Sequence, residues 1–134
     1  LMSCFMERCL SFNPVFGKTG MINQQGWMFL GSFKSFREEF LKSDVSIETL
    51  LQLGPNTFPE ISGDVVQNAA FTITKTKDIL GCFFRLTEYK NTIDKRDAYL
   101  LNLKENKYFP SCNISCRAIY NLSKSACVLN APIE

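Results

Sequence analysis

Histidine is missing altogether from the 134 residues, and tryptophan occurs once. Without an imidazole, no Ser–His or Cys–His nucleophile pair can be assembled. Cysteine is not scarce, at six residues. Even so, Cys4-x4-Cys9 and Cys112-x3-Cys116 lack the paired C-x2-C spacing of a zinc framework, so buried free thiols are expected and no metal. No basic leader precedes the opening LMSCFMERCLSF, and no apolar run approaches the ~20 residues that span a bilayer. Together with reduced thiols, these absences predict a cytoplasmic protein with no membrane partner. The sequons at Asn113 and Asn121 then carry no meaning. An excess of one charge is also lacking: 15 Lys and Arg stand against 13 Asp and Glu, a net +2. A dedicated nucleic-acid module usually shows a basic face, so any tight hold on DNA must come from outside these residues. Leu1 already sits inside an apolar-periodic run, which suggests a piece of a longer chain.

What is there is enough for one ordinary domain, 46% hydrophobic and 21% charged. Met2, Phe5, Met6, Cys9 and Leu10 fall on one stripe of a helix over 2–12, which Asn13-Pro14 ends. Gly17 to Gly20 turn the chain into a strand over 19–24, and GWMFLG follows as a loop with large apolar residues to bury. Ser32 is a plausible N-cap for the helix FKSFREEFLK. There Phe33, Phe36, Phe40 and Leu41 face inward, and Lys34, Arg37, Glu38 and Glu39 face water. Residues 47–53 read as a buried strand. Next comes GPNTFPEISGD, the most function-like loop in the chain. Alternation over 69–76 and again in CFFRL reads as a long hairpin over 69–86. NTIDKRDAYLLNLKEN reads as a second amphipathic helix with Ile93, Asp97, Leu100, Leu101 and Lys104 along one side. No period is legible beyond Tyr108. Helices alternating with strands, then a hairpin, predict an α/β fold: parallel strands ending in an antiparallel hairpin, flanked by helices. Strands 19–24, 47–53 and 69–76 should be neighbours in one sheet, the last antiparallel to the other two.

Three stretches carry a resemblance. GMINQQGWMFLGSFKSFREEFL is similar to a G-M-[IV] strand running into Q-x-W-M-F-L-x-S-[FY]-[EK]-x-[FL]-R-E. LLQLGPNTFPEISGDVVQNAAFTI is similar to L-x-L-G-x-x-x-F-x-E-I-x-G-[ED]-V-V-Q-x-x-A-F, and GCFFRLTEYKNTIDK to G-x-[FY]-x-R-L-x-[DE]-[FY]. All three resemble the middle of large adenine-specific DNA methyltransferases, those of bacteriophage-exclusion (BREX) defence systems and the related type II G restriction-modification enzymes. The resemblance covers roughly residues 1–105, leaving 106–134 as an unassigned tail.

The resemblance implies the C-terminal half of a catalytic domain with a partial Rossmann-like methyltransferase sheet. It implies S-adenosylmethionine as the cofactor of the complete enzyme, and double-stranded DNA and the rest of the methyltransferase chain as partners. It also bears on NPVF, residues 13–16, which looks like a worn copy of the [DNS]-P-P-[YFW] tetrapeptide that holds the target amine. In the family that tetrapeptide precedes the helix that here is residues 1–12. NPVF follows it, so NPVF is a turn. The tetrapeptide and the Gly-rich cofactor loop would both lie upstream, and residues 1–134 alone are expected to bind no cofactor and to be inactive.

The same resemblance places Phe58 at a loop position where an apolar side chain stacks on the flipped base, a contact worth roughly 1–3 kcal/mol. The alternative is a hydrophobic plug under its own loop. Gln24 and Gln25 lie at the C-terminal end of a strand, where open α/β sheets keep their ligand crevice; they could touch DNA, although solvated amides are the default. Arg85, basic within an apolar strand, is a candidate phosphate contact. Trp27 is expected to anchor its loop by burial. Two rival readings stand beside a methyltransferase: a non-catalytic remnant or split subunit serving as a structural or DNA-contacting partner, and an unrelated small α/β binding domain.

Overall fold

The structure is a computed structural model, and it describes residues 1–58, 66–77, 79–107 and 109–111. Helix α1 spans Met2–Phe12 and buries Met6 and Leu10, one turn apart on a single face. It leaves Phe5 58% exposed. Strand β1, Lys18–Gln24, runs into two short 3-10 turns at Gln25–Met28 and Gly31–Phe33. Helix α2 is Lys34–Lys42 and strand β2 is Ser46–Gly54. Strands β3 (Asn68–Thr74) and β4 (Gly81–Arg85), helix α3 (Thr92–Lys104) and the short strand β5 (Phe109–Ser111) complete the order.

The five strands form one sheet in the order β1-β3-β2-β4-β5. Strand β3 is antiparallel to both β1 and β2, as the sequence predicts for residues 19–24, 47–53 and 69–76. Strand β2 then pairs with β4 in parallel, and β4 with β5 antiparallel. The α/β class with mixed pairing therefore holds, but residues 69–86 do not close as a hairpin. Strands β3 and β4 flank β2 instead of pairing with each other. The reason is in β2, whose Ile47 and Leu50 enter one core cluster while Leu51 and Leu53 pack against the other. A strand with apolar side chains on both faces is more stable in the middle of a sheet, hydrogen-bonded on both edges, than at an edge.

Two clusters of side chains hold the layers. On one face Met6, Leu10, Trp27, Met28 and Phe40 cover Ile47, Leu50, Phe71, Ile73 and Phe83. Trp27 is fully buried, edge-on to Phe71 at 5.2 Å and Phe40 at 6.4 Å, as an anchoring role requires. On the other face Phe84, Leu86 and Ala98 form a smaller cluster with Leu51, Leu53 and Tyr99 beside it. The Tyr99 and Phe84 rings meet edge-on at 5.0 Å.

Several expectations about faces and caps are corrected. Ser32 is not an N-cap: it lies within a 3-10 turn, and Phe33 precedes α2 without a side-chain cap bond. Arg37 does not face water. It is buried, and its guanidinium donates to the carbonyls of Trp27 and Leu30, both at 2.8 Å. Glu38 is half-buried. In α3 the side traced by Ile93, Leu100 and Leu101 is the outer one: these residues are exposed, while Lys95, Ala98 and Asn102 are buried. Among the described cysteines, Cys4 is exposed and Cys9 and Cys82 are half-buried, so none is a core thiol. Cys112 and Cys116, the tail beyond 111 and most of the GPNTFPEISGD loop fall outside the described residues. No described helix is long and apolar enough to cross a membrane.

Residues 13–16 form a turn. Asn13 is extended, Gly17 N–H donates to the Pro14 carbonyl at 2.8 Å, and Phe16 adopts a left-handed φ of 65° with its ring 70% exposed. Asn13 donates from Nδ2 to Thr19 Oγ1 at 2.7 Å, and its backbone carbonyl accepts from Lys75 Nζ at 2.9 Å. This turn sits where β1 begins. The crevice described next sits where β1 ends, about 20 Å away at ~3.3 Å per residue.

Candidate functional site

Strands β1, β2 and β4 all run in one direction, so their C-terminal ends share one edge of the sheet. Parallel-directed strands place ligand crevices at that edge. A cavity of about 370 Å³ opens there. Gln25 and Phe29 enter from the segment after β1, Gln52 and Pro55 from β2 and the loop behind it, Gln67 from just before β3, and Arg85 and Thr87 from the end of β4.

Three glutamines from three different segments meet in this crevice. Gln52 Nε2 donates to Gln25 Oε1 at 3.1 Å, and Gln25 Nε2 donates to Gln67 Oε1. Gln25 and Gln52 are 4% and 6% exposed, whereas Gln67 is exposed, so the chain of amides runs from the interior to the surface. The backbone holds the arrangement: Gln25 N–H donates to the Gln67 carbonyl at 2.9 Å. The register of β2 against β3 slips between Gln52 and Gly54, an irregularity that re-aims side chains at this end. Buried amides cost free energy unless hydrogen-bonded, and each buried glutamine here has a partner in the chain. Such a chain is polarised along its length and presents paired donors and acceptors to whatever enters.

Arg85 lines the same crevice and donates from Nε to Thr87 Oγ1 at 3.1 Å. The loop after β2 forms the neighbouring wall. Gly54 takes a φ of +69°, and a Cβ there would meet Thr87 Cα at 3.2 Å, so glycine is needed on both counts. Thr57 Oγ1 donates to the Gly54 carbonyl at 3.0 Å, closing the turn. Phe58 follows at 38% exposure.

The structure thus brings Gln25 and Arg85 together. It buries Gln25, against the expectation of a solvated amide. Gln24 is exposed at the end of β1, outside the crevice lining, and Phe58 stands three residues beyond Pro55 without lining it. Gln52 and Gln67 were not foreseen. Their signal was available: Gln52 interrupts the otherwise apolar run Leu50-Leu51-Gln52-Leu53, and Gln67 directly precedes β3.

A second cavity, of about 430 Å³, lies between α1 and α2 at the opposite end of the strands, walled by Leu10, Phe40 and Val45 with Glu7, Glu39 and Lys75 at its rim. No chain of buried polar groups enters it. Among the described residues, no three His, Cys, Asp or Glu side chains come together as a metal site would require.

Comparison with known proteins identifies the family. Over 102 residues the chain is 38% identical to the adenine-specific methyltransferase PglX of Lacticaseibacillus casei (strain Zhang), a match covering 75% of this chain and 8% of that protein. Over 90 residues it is 34% identical to the adenine-specific methyltransferase BrxX of Escherichia coli O9:H4 (strain HS), covering 66% of this chain and 7% of that one. The chain thus spans less than a tenth of the length of these relatives. In fold it is similar to a chain of a DrdV–DNA complex, with a TM-score of 0.59 and 15% identity over 94% of this chain and 13% of that one. It is similar also to a type I restriction enzyme modification subunit from Vibrio vulnificus YJ016, with a TM-score of 0.55 and 14% identity over 81% of this chain and 27% of that one. No protein-family model matches. With 38% identity across three-quarters of its length, the chain belongs to the BREX-type family of adenine-specific methyltransferases.

Proposed function

We propose that residues 1–105 form the target-base side of the catalytic domain of a site-specific adenine-N6 DNA methyltransferase that serves phage defence or restriction-modification. The observation that carries this reading is the chain of three amides, two of them buried, at the C-terminal edge of the sheet, in a member of this family. A purine offers alternating donors and acceptors at its edge, and glutamine is a side chain that matches the adenine pattern. An adenine extruded from the duplex would find the Gln25, Gln52 and Gln67 amides at its edge, Arg85 within reach of its phosphate, and Phe58 on the neighbouring loop as a stacking partner.

S-adenosylmethionine would supply the methyl group in the complete enzyme. Among the described residues the crevice lining has amides and a guanidinium but no carboxylate to hold a ribose diol or an ammonium group, so these residues do not fit that cofactor. The cofactor's place, and the cage for the target amine, would then lie on other residues of the complete enzyme. What these residues contribute is orientation of the base. Positioning of that kind is a large part of catalysis when no covalent intermediate is formed.

The test uses the complete enzyme with S-adenosylmethionine and unmethylated double-stranded DNA, followed by sequencing that detects N6-methyladenine. Methylation confined to one sequence context is expected, and the isolated 134-residue chain should yield none. A complete enzyme that leaves adenine unmodified would overturn the reading and favour the non-catalytic partner.

A further inference from the structure

Lys95 is an unexpected residue to find inside. It lies in the second turn of α3, is 3% exposed, and donates from Nζ to the carbonyl of Pro55. Among the described residues no carboxylate forms an ion pair with it. Its burial lowers its pKa from the ordinary lysine value, the sign of an ammonium held away from water. Burying a charge with so few partners is costly, and an apolar side chain of similar length would fill the space at less cost. Stability therefore does not explain the choice.

What the ammonium holds is the wall of the crevice. Pro55 lines the cavity, and the turn from Gly54 to Thr57 is tied to α3 at a second point, where Thr92 Oγ1 donates to the Thr57 carbonyl at 3.3 Å. Helix α3 is itself fixed at its start by Asn91, whose Oδ1 accepts from Asp94 N–H at 2.8 Å. One capped helix thus grips both ends of the segment that leads into Phe58.

We infer that Lys95 is a positioning residue for the target base, setting the Pro55 wall and the Phe58 loop through its bond to the Pro55 carbonyl, with Thr92 as its weaker assistant. This rests on the reading of the crevice as the pocket for the extruded adenine.

The test is made in the complete methyltransferase, on a duplex carrying the site that sequencing shows it to modify. Lys95→Met is expected to lower kcat tenfold or more, since misplacement by about 1 Å can cost on the order of a hundredfold. KM for DNA should stay within about threefold, because no backbone contact is removed. The loss should shrink severalfold on a duplex whose target adenine is mismatched and so already loosened. The melting temperature should hold or rise, since a buried charge has been replaced by an apolar chain. Thr92→Val should give a smaller loss in the same direction, and it answers the question alone if Lys95→Met does not fold. Unchanged kcat per folded molecule, or an equal loss on matched and mismatched DNA, would overturn the inference. A wild-type enzyme that methylates no adenine would instead overturn the reading beneath it.

Discussion

At the scale of single residues, charge is a poorer guide to exposure than spacing. Arg37 stands four residues after Phe33 and three before Phe40, so the spacing that turns those rings inward turns Arg37 inward too. Its charge argued for solvent. What keeps it inside is a pair of carbonyls, Trp27 and Leu30, freed by the 3-10 turns, and no local pattern reveals such partners. Arg37→Ala should lower stability by about 2–3 kcal/mol, the loss expected for hydrogen bonds to a charged group. Urea unfolding would measure it, and a change under about 0.5 kcal/mol would show the bonds to be incidental. Glu48 gives a second test, through pH. Hydrogen bonds from Lys18 and Thr74 lower its pKa from the ordinary glutamate value of 4.5. A carboxylate with a depressed folded pKa contributes stability that is present above the unfolded value and lost as pH falls through the folded one. Wild type should therefore lose stability below about pH 4.5 more steeply than Glu48→Gln, and parallel acid limbs would contradict the role. For Phe58, legible from the sequence only by resemblance, Phe58→Ala in the complete enzyme should weaken base extrusion by roughly 1–3 kcal/mol, and less on mismatched DNA. A drop in melting temperature with unchanged turnover would make it a loop plug.

At the scale of elements, the sequence located helices and strands well and their partners less well. Helix α1 and strands β1 to β3 stand within a residue or two of their expected bounds because each carries a clear apolar period. The hairpin over 69–86 failed because alternation in two consecutive segments says that both are strands, not that they pair. Strand β2, arriving earlier in the chain, takes the place between them. Helix α3 misled for a related reason. Its leucines suggested an apolar stripe, but the face that meets Phe84 and Leu86 is built from Lys95, Ala98, Tyr99 and Asn102. Lysine and asparagine lie inside because Ala98 lets the helix come close and Lys95 has a loop carbonyl to reach. Leu100→Gln should thus change the stability of this chain by no more than about 0.5 kcal/mol. Ala98→Leu, forced against Phe84, should cost about 1–3 kcal/mol. Thermal or urea denaturation of both variants would check the contrast, and the reverse ranking would mean α3 packs on its other face.

At the scale of the whole molecule, helices on both sides of a mixed sheet leave one edge where three strand ends, a tight loop and a chain of amides converge. The edge itself was predictable, because strand direction fixes where an α/β sheet opens. The amides were legible only in part: Gln52 stands out in an apolar run and Gln67 just before β3, but only folding brings them to Gln25. The central claim is that this chain exists for a base and not for the fold. The most direct measurement is kcat/KM for DNA adenine methylation by the complete enzyme carrying Gln25→Leu with Gln52→Leu. Removing both buried partners together leaves no orphaned amide between them, so stability should be nearly unchanged or improved. We predict unchanged melting behaviour with kcat/KM reduced by about a hundredfold, as expected when about 1–3 kcal/mol of discrimination per bidentate contact is lost. Full activity in a stably folded double variant would contradict the account.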